Sequence, residues 1–203
     1  MIRFPSKLVE DAVEQLNSLP GIGRKTALRL ALHLLKREEN EVSSFCEKIF
    51  RMRKDIKYCK CCKNISDSDV CDICSNPQRD KSVICVVQTV ADVMAIENTS
   101  QYNGLYHVLG GVISPLDGIG PQDLTIKYLM ERTKDTELKE IILALGTTIE
   151  GDTTMHFIYR QIKDLGFTVS ILSRGVAVGD EIEYADEITL GRSIINRTVF
   201  TDN

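Results

Sequence analysis

The 203-residue sequence contains no tryptophan, no internal repeat and no low-complexity segment. No apolar run approaches the roughly 18 residues that a membrane-spanning helix needs, which argues against an integral membrane protein of the helical class. Residues 1–6 lead directly into a polar helical pattern, without the apolar core of a signal peptide. We therefore expect a cytoplasmic protein without a membrane partner. Disulfides are disfavoured in that compartment, so the seven cysteines need another explanation.

Charge is distributed unevenly along the chain. Residues 1–63 hold 14 Lys and Arg against 8 Asp and Glu, whereas residues 64–203 hold 11 against 21. The formal net charge of −4 is thus the sum of +6 and −10. A basic N-terminal third indicates a surface for nucleic acid, and solvated helix faces with a chance excess of cations are the alternative.

Hydrophobic periodicity divides the chain into a helical part and an alternating part. Residues 6–54 show apolar positions at three- and four-residue spacing, which predicts three helices with a tight turn over 19–23. The third helix is predicted over 42–54, with four apolar side chains facing inward: Val42, Phe45, Ile49 and Met52. From residue 83 onward, strand-like runs alternate with helical segments, which predicts a parallel α/β sheet. The segment after residue 174 shows little periodicity.

Two Cys-x-x-Cys pairs, Cys59 with Cys62 and Cys71 with Cys74, stand eight residues apart in a polar stretch that is too short for a core of its own. Two pairs at this spacing can direct four thiolates to one point, as tetrahedral zinc requires. We predict one structural zinc ion per chain, because four protein ligands leave no open position for catalysis. An iron–sulfur cluster, two disulfides and unconnected thiols are the alternatives.

Three further cysteines have other predicted roles. Cys61 lies inside the first pair and is predicted to be spare, because Cys59 and Cys62 already have the usual ligand spacing. Cys46 and Cys85 fall in apolar helix and strand patterns, so both are predicted to be core residues.

A glycine turn connects the first two helices. Gly21 and Gly23 permit a tight corner, and they let a phosphate approach the free N–H groups of the helix that starts there. Arg24, Lys25 and Arg29 supply charge, and the last two share one helix face. The segment resembles a helix–hairpin–helix motif, which contacts the nucleic-acid backbone and not the bases. A plain corner between two helices is the alternative. A Walker A loop is excluded because position 18 is not glycine.

The order of these features and two specific strings indicate a family. Residues 104–111 read GLYHVLGG and residues 114–121 read SPLDGIGP; EGD follows at 150–152 and EYADE at 183–187. Over nearly its whole length the chain resembles the bacterial recombination mediators of the RecR family. The resemblance implies an α+β multi-module protein: a helix–hairpin–helix region over 1–54, a zinc finger over 55–80, a Toprim domain with a mostly parallel sheet over 81–173, and a C-terminal Walker-B-like assembly segment over 174–203.

Toprim domains of topoisomerases and primases hold Mg²⁺ through a Glu after the first strand and a D-x-D-x-E-G-type run after a later one. In this chain Gln88, Gly146 and Thr148 stand at the first three acidic positions, so only Glu150 remains of the carboxylates that Mg²⁺ needs. We therefore predict that the protein is not an enzyme; a Mg²⁺-dependent topoisomerase, primase or nuclease is the disfavoured alternative. Glu150 and Asp152 either stabilise the start of a helix or form an acidic docking surface for a partner protein.

The resemblance also implies a function and partners. The protein would form a homo-oligomeric ring, a tetramer built from N-terminal and C-terminal contacts. That ring would clamp single- or double-stranded DNA without sequence preference. With RecO, and in some contexts RecF, it would help load the RecA recombinase onto single strands coated by single-strand-binding protein. An assembly adaptor that never touches DNA is the rival hypothesis, against which the basic residues at 24, 25 and 29 argue.

Overall fold

The computed structural model describes residues 4–173, 175–176, 179 and 181–197. Its internal contacts divide the chain into two compact units, residues 1–56 and residues 57–203. In the described part, no helix is both long enough and apolar enough to cross a membrane.

The first unit consists of three helices, α1 (Lys7–Asn17), α2 (Arg24–Leu34) and α3 (Glu39–Asp55). Val13 of α1 and two alanines of α2, Ala27 and Ala31, form its buried centre. The alanines carry only a methyl group, so the two helices can approach each other closely at this contact. The small core fixes the corner between α1 and α2, where the predicted DNA-binding turn lies.

The third helix differs from its prediction. It begins at Glu39, and none of its residues is buried. Phe45, Ile49 and Met52 are 42%, 49% and 63% exposed, so the prediction that they face a core is wrong. Cys46, predicted to be a core residue, is exposed as well. Periodicity identifies an amphipathic helix, but it does not show whether the same chain supplies a partner for the apolar face.

The second unit begins with a small module around the cysteine pairs. Strands β1 (Lys57–Tyr58) and β2 (Ile65–Ser66) pair in antiparallel fashion, and the short helix α4 (Asp72–Ser75) follows. Cys59, Cys62 and Cys71 are buried, and together with Ile73 and Cys74 they form the interior of this module. Ile73 is the one apolar side chain besides the cysteines in that interior, among the described residues, so the module depends on its cysteines.

The rest of the second unit is an α/β layer structure. Its strands are β3 (Asp80–Val87), β4 (Gly104–Val108), β5 (Glu140–Ala144) and β6 (Thr168–Ile171). The helices between them are α5 (Val90–Thr99), α6 (Ile126–Arg132) and α7 (Ile149–Ile162), and α8 (Glu187–Ile195) follows the last strand. All neighbouring strands are parallel, in the order β4–β3–β5–β6. The helical N-terminus and the parallel sheet of the predicted α+β fold are confirmed.

Side chains cover both faces of the sheet, as a parallel sheet requires. On one face the core joins Ile84 and Val86 of β3 to Leu129 of α6 and Ile158 of α7. On the other face Cys85 and Val87 pack with Val93 of α5 and Tyr106 of β4. Consecutive residues of β3 thus pack into the two cores on opposite faces of the sheet. Because both faces are buried, the sequence of β3 is a continuous apolar run. Cys85 is buried, as predicted.

Truncating a side chain in this core should destabilise the second unit. Ile158 is completely buried in α7, whereas Ile149 at the start of the same helix is 83% exposed. Ile158→Ala leaves a cavity, so we expect the free energy of unfolding to fall by about 2–5 kcal/mol. Ile149→Ala should change it by less than about 0.5 kcal/mol. Urea-induced unfolding in buffer with zinc measures both variants, and an equal decrease in the two would contradict this description of the core.

Candidate metal centre and nucleic-acid interface

Four cysteines converge in the small module. The sulfur atoms of Cys59, Cys62, Cys71 and Cys74 all lie within 4.8 Å of one another. The Sγ atoms of Cys62 and Cys71 are 3.5 Å apart. In a tetrahedral site with Zn–S bonds of about 2.3 Å the sulfurs are about 3.8 Å apart, so the cluster has the dimensions that zinc needs.

Local backbone turns bring the cysteines together. The N–H of Lys63 donates to the carbonyl oxygen of Cys59 at 3.0 Å, and Lys63 itself adopts a left-handed conformation with φ of 64°. In the second pair, Cys71 precedes α4, and its N–H donates to Sγ of Cys59 at 3.3 Å. Backbone N–H groups directed at sulfur stabilise thiolates, which are the form that binds metal.

The thiols are coupled electrostatically. The hydrogen bond from Cys74 lowers the pKa of Cys62 to about 5, and the same bond raises the pKa of Cys74. Burial raises the pKa of Cys71 to about 11. One thiolate therefore forms readily and opposes ionisation of its neighbours. A divalent cation removes this repulsion, and four sulfur ligands with no open position fit a structural zinc ion.

The zinc module is attached to the edge of the sheet. The carbonyl oxygen of Cys62 accepts a hydrogen bond from the N–H of Val108 on β4 at 2.8 Å. Ile73 of α4 contributes both to the cysteine interior and to the core on that face of the sheet. Cys61 is exposed and lies outside the group of four. Strand β4 is at the edge of the sheet. The folded cysteine module therefore covers part of this edge, which would otherwise be open to solvent.

The turn before α2 provides unpaired backbone donors. Gly21 has φ of +76°, a conformation that favours glycine, and the first hydrogen bond within α2 runs from the N–H of Ala27 to the carbonyl of Gly23 at 2.9 Å. Within the described part of the chain, no side chain caps this helix. The N–H groups of residues 24–26 therefore point out of the helix end, where the helix dipole favours an anion.

The space around the turn is open. A Cβ atom added at Gly23 would meet no heavy atom within 4 Å, and the φ of Gly23 is an ordinary −75°. The protein interior therefore does not require glycine at this position. The absence of a side chain leaves the helix end accessible to a ligand.

The basic side chains at this turn differ in their surroundings. Lys25 and Arg29 are exposed and one helical turn apart on α2, so they can contact the same ligand. The guanidinium carbon of Arg24 lies 5.5 Å from the centre of the Phe4 ring. Arg24 therefore stacks on an aromatic ring beside the turn. Lys25 and Arg29 are the exposed cations near the turn for which no such ring contact is seen in the described chain.

Gln88, Gly146 and Thr148, the three positions compared above with the metal ligands of catalytic Toprim domains, lie at the carboxyl ends of the strands. Gln88 directly follows β3, and its Oε1 atom lies 3.7 Å from the point where a Cβ of Gly146 would be. Thr148 caps α7, because its Oγ1 accepts a hydrogen bond from the N–H of Gly151 at 3.1 Å. An amide, a hydrogen atom and a capping hydroxyl thus stand at the three positions where the resemblance to catalytic Toprim domains implies carboxylates.

The two acids at this edge lie in the first turn of α7. A Cβ on Gly151 would come within 2.0 Å of the carbonyl oxygen of Gly146, so only glycine fits between Glu150 and Asp152. The carboxylate of Asp152 lies 3.9 Å from the guanidinium of Arg192 on α8. Both acids are half-buried, and their position also suits the helix dipole.

Two features of the second unit were not predicted from the sequence. Helix α8 falls in the segment that showed little periodicity, although Asp186 caps it by accepting the N–H of Thr189 at 2.9 Å. An Asp before a run of apolar residues could have indicated this start. The contact between α8 and Asp152 joins residues 40 positions apart, and no local pattern indicates it.

His107 lies on β4 inside the Toprim sheet, and it is completely buried. Its Nε2 atom lies 3.0 Å from Oγ1 of Thr125 and 3.1 Å from the Thr125 carbonyl oxygen. Burial, together with the nearby Arg132, lowers the pKa of His107 to about 3. A neutral, enclosed imidazole joins β4 to the start of α6, and it has no access to a substrate.

Comparisons with known proteins agree with this arrangement. Family models match the chain consecutively: a RecR helix–hairpin–helix over residues 9–50, a RecR four-cysteine zinc finger domain over 56–76, a Toprim domain over 82–173 and a RecR C-terminal region over 175–198. The prediction of a four-cysteine zinc finger is thereby confirmed.

Full-length relatives carry the name Recombination protein RecR. The relative from Parabacteroides distasonis is 60% identical over 98% of this chain and 95% of its own length. Those from Bacteroides thetaiotaomicron and Flavobacterium johnsoniae are 58% and 54% identical, each over 98% of this chain and 97% of its own length.

The role of the individual cysteines can be tested by metal analysis. Cys71→Ser should lose zinc, because three thiolates and a hydroxyl bind it far more weakly. Cys61→Ser removes a thiol of the same segment that lies outside the group of four, so we expect it to keep one zinc ion per chain. Full zinc in purified Cys71→Ser protein would contradict the assignment of the four ligands.

Proposed function

The chain belongs to the RecR family of recombination proteins, and from that premise we propose that it is a recombination mediator that binds DNA through the glycine turn before α2. One observation carries this proposal. Uncapped N–H groups at the start of α2 lie beside the exposed cations of Lys25 and Arg29, with no side chain at Gly23 to block them. This arrangement binds a phosphate group and has no means of reading bases, so single- and double-stranded DNA of any sequence are suitable ligands.

Assembly would compensate for the few contacts that one turn can make. The whole chain has a net charge of −4, and a single turn offers about two or three phosphate contacts. Several turns presented together would multiply affinity without any new kind of contact. We propose a homo-oligomeric ring, a tetramer that encircles or clamps the DNA.

Two exposed apolar surfaces support such a ring. One lies on α3, where Phe50 and Met52 are 65% and 63% exposed. The other lies on α8, where Ile188 and Ile195 are 69% and 77% exposed. The two surfaces belong to different units of the chain, and closed assemblies with alternating contacts need two distinct interfaces. We assign α3 to the N-terminal contact and α8 to the C-terminal contact.

The proposed partners are RecO and, in some contexts, RecF. With them the ring would load the RecA recombinase onto single strands coated by single-strand-binding protein. Residues 64–203 carry a net charge of −10, which suits a basic partner surface. Glu150 and Asp152, at the carboxyl end of the sheet, are the proposed acidic contact.

A Mg²⁺-dependent enzyme is the alternative that the Toprim fold suggests. Hard Mg²⁺ binds through several oxygen ligands, and at the three converging positions this chain offers only the neutral amide of Gln88 and the capping hydroxyl of Thr148. The proposed role is therefore one of binding and assembly, without turnover of DNA.

The absence of the carboxylates leads to a direct test of activity. With Mg²⁺ or Mn²⁺, we expect no DNA cleavage, relaxation or primer synthesis above the level of a Glu150→Gln variant. The assay uses supercoiled plasmid and a primed single strand, with both proteins purified in parallel. Turnover that copurifies with the unmodified chain and disappears in Glu150→Gln would establish the enzyme alternative.

The glycine turn can be tested through the salt dependence of DNA binding. In Lys25→Ala plus Arg29→Ala, the slope of log affinity against log salt should become shallower by about 0.9 for each duplex phosphate that the variant no longer binds. Lys134→Ala plus Lys163→Ala is the matched control, because it removes the same charge from exposed positions of the other unit. Circular dichroism monitors folding. An unchanged slope in a folded Lys25/Arg29 double variant would place the DNA surface elsewhere.

A further inference from the structure

The basic character of the first unit continues well beyond the glycine turn. Residues 15–37 contain no Asp or Glu, while they hold five Lys and Arg together with His33. Three of these cations, at positions 24, 25 and 29, stand at or near the turn. Lys36 and Arg37, just after the end of α2, extend the positive charge beyond the reach of the proposed hairpin contact.

The extended charge lies on one face of α2. Six residues line a groove of about 430 Å³ along this helix: Lys25, Leu28, Arg29, Leu32, His33 and Lys36. This face points away from the buried Ala27 and Ala31, through which α2 packs on α1. At a rise of about 1.5 Å per residue, the helical part of the groove extends about 12 Å from Lys25 to His33, and Lys36 follows just after the end of α2.

The cations of the groove are not neutralised. No salt bridge of the described residues involves Lys25, Arg29 or Lys36. By contrast, the next residue along, Arg37, has its Nε atom 3.8 Å from the carboxylate of Glu41. An uncompensated row of positive charge next to an anion-binding helix end fits a polyanion that runs along the helix.

The base of the groove is apolar. Leu32 is 45% exposed and Leu28 is half-buried beside it, between the charged side chains. Phosphates gain nothing from contact with leucine, so a ligand that covers this strip must offer apolar surface as well as negative charge. A single DNA strand does so because its sugars and base faces are accessible, whereas a duplex keeps its bases stacked inside.

We propose that the face of α2 that starts at Lys25, together with Lys36 just after the helix, is a binding track for single-stranded DNA. The proposal rests on the DNA-binding function and adds to it the form of DNA and a second contact region. One phosphate binds at the glycine turn and Lys25, further phosphates bind at Arg29 and Lys36, and sugars or bases between them cover Leu32.

The charged part of the track is tested with two neighbouring variants. Lys36→Gln and Arg37→Gln remove the same charge one residue apart, but Arg37 is already paired with Glu41. For an oligothymidylate, Lys36→Gln should make the salt slope shallower by about 0.7, the value for one phosphate contact on a single strand. Arg37→Gln should leave the slope unchanged.

The apolar part is tested by comparing two forms of DNA. Leu32→Ser should weaken binding of the oligothymidylate several-fold more than binding of a duplex of the same length. Leu8→Ser on α1 is the control, because Leu8 is 81% exposed and lies outside the groove. It should change neither affinity. Sedimentation of each variant without DNA shows whether its oligomeric state is that of the unmodified chain.

Each contrary outcome has a separate meaning. An unchanged slope in Lys36→Gln, with a shallower slope in the Lys25/Arg29 double variant, overturns the track and leaves the hairpin contact standing. If the salt slope is unchanged in Lys36→Gln and also in the Lys25/Arg29 double variant, the track and the proposed function are both overturned. Equal effects of Leu32→Ser on both forms of DNA overturn the single-strand assignment. A change of oligomeric state in DNA-free Leu32→Ser would overturn the track as well, because a second copy of the chain would then cover this face.

Discussion

Four thiol groups within 4.8 Å of one another cannot all ionise unless a cation is bound among them, and the second unit depends on this constraint. The module that carries them has almost no apolar interior besides the cysteines themselves. Once closed, it supplies the carbonyl of Cys62 to the edge strand β4 and the side chain of Ile73 to the core of the sheet. The metal therefore stabilises the α/β layer as well as the finger.

The features that could be predicted from the sequence are those that depend on residues close together in the chain. The two Cys-x-x-Cys pairs define a ligand set within 16 residues, and the alternation of apolar runs with helices defines a parallel sheet. Residues close together in the chain also define the glycine turn, the cations that follow it and the apolar run of β3. The carboxyl ends of parallel strands always share one edge, so the convergence of Gln88 with Gly146 also followed from the fold.

The remaining features depend on partners that are distant in the chain or belong to another molecule. The apolar spacing of α3 correctly indicated a helix, but Phe45 and Ile49 enter no core among the residues that the structure describes. Helix α8 was missed because it has only nine residues, with Gly191 among them, and so short a stretch does not establish a 3.6-residue period. Its contact with Asp152 arises only when the chain returns to the carboxyl end of the sheet.

The close approach of Gly151 to the carbonyl of Gly146 has a consequence for protein engineering. This glycine cannot be replaced, and it holds the start of α7 against the loop after β5. The neighbouring positions are permissive: a Cβ on Gly146 would meet nothing nearer than the Gln88 side chain at 3.7 Å, and aspartate caps a helix as well as Thr148 does. Gln88→Glu, Gly146→Asp and Thr148→Asp would therefore rebuild a carboxylate set on an intact backbone. This chain and a carboxylate-bearing version of the same site would thus differ in three side chains on one unchanged backbone.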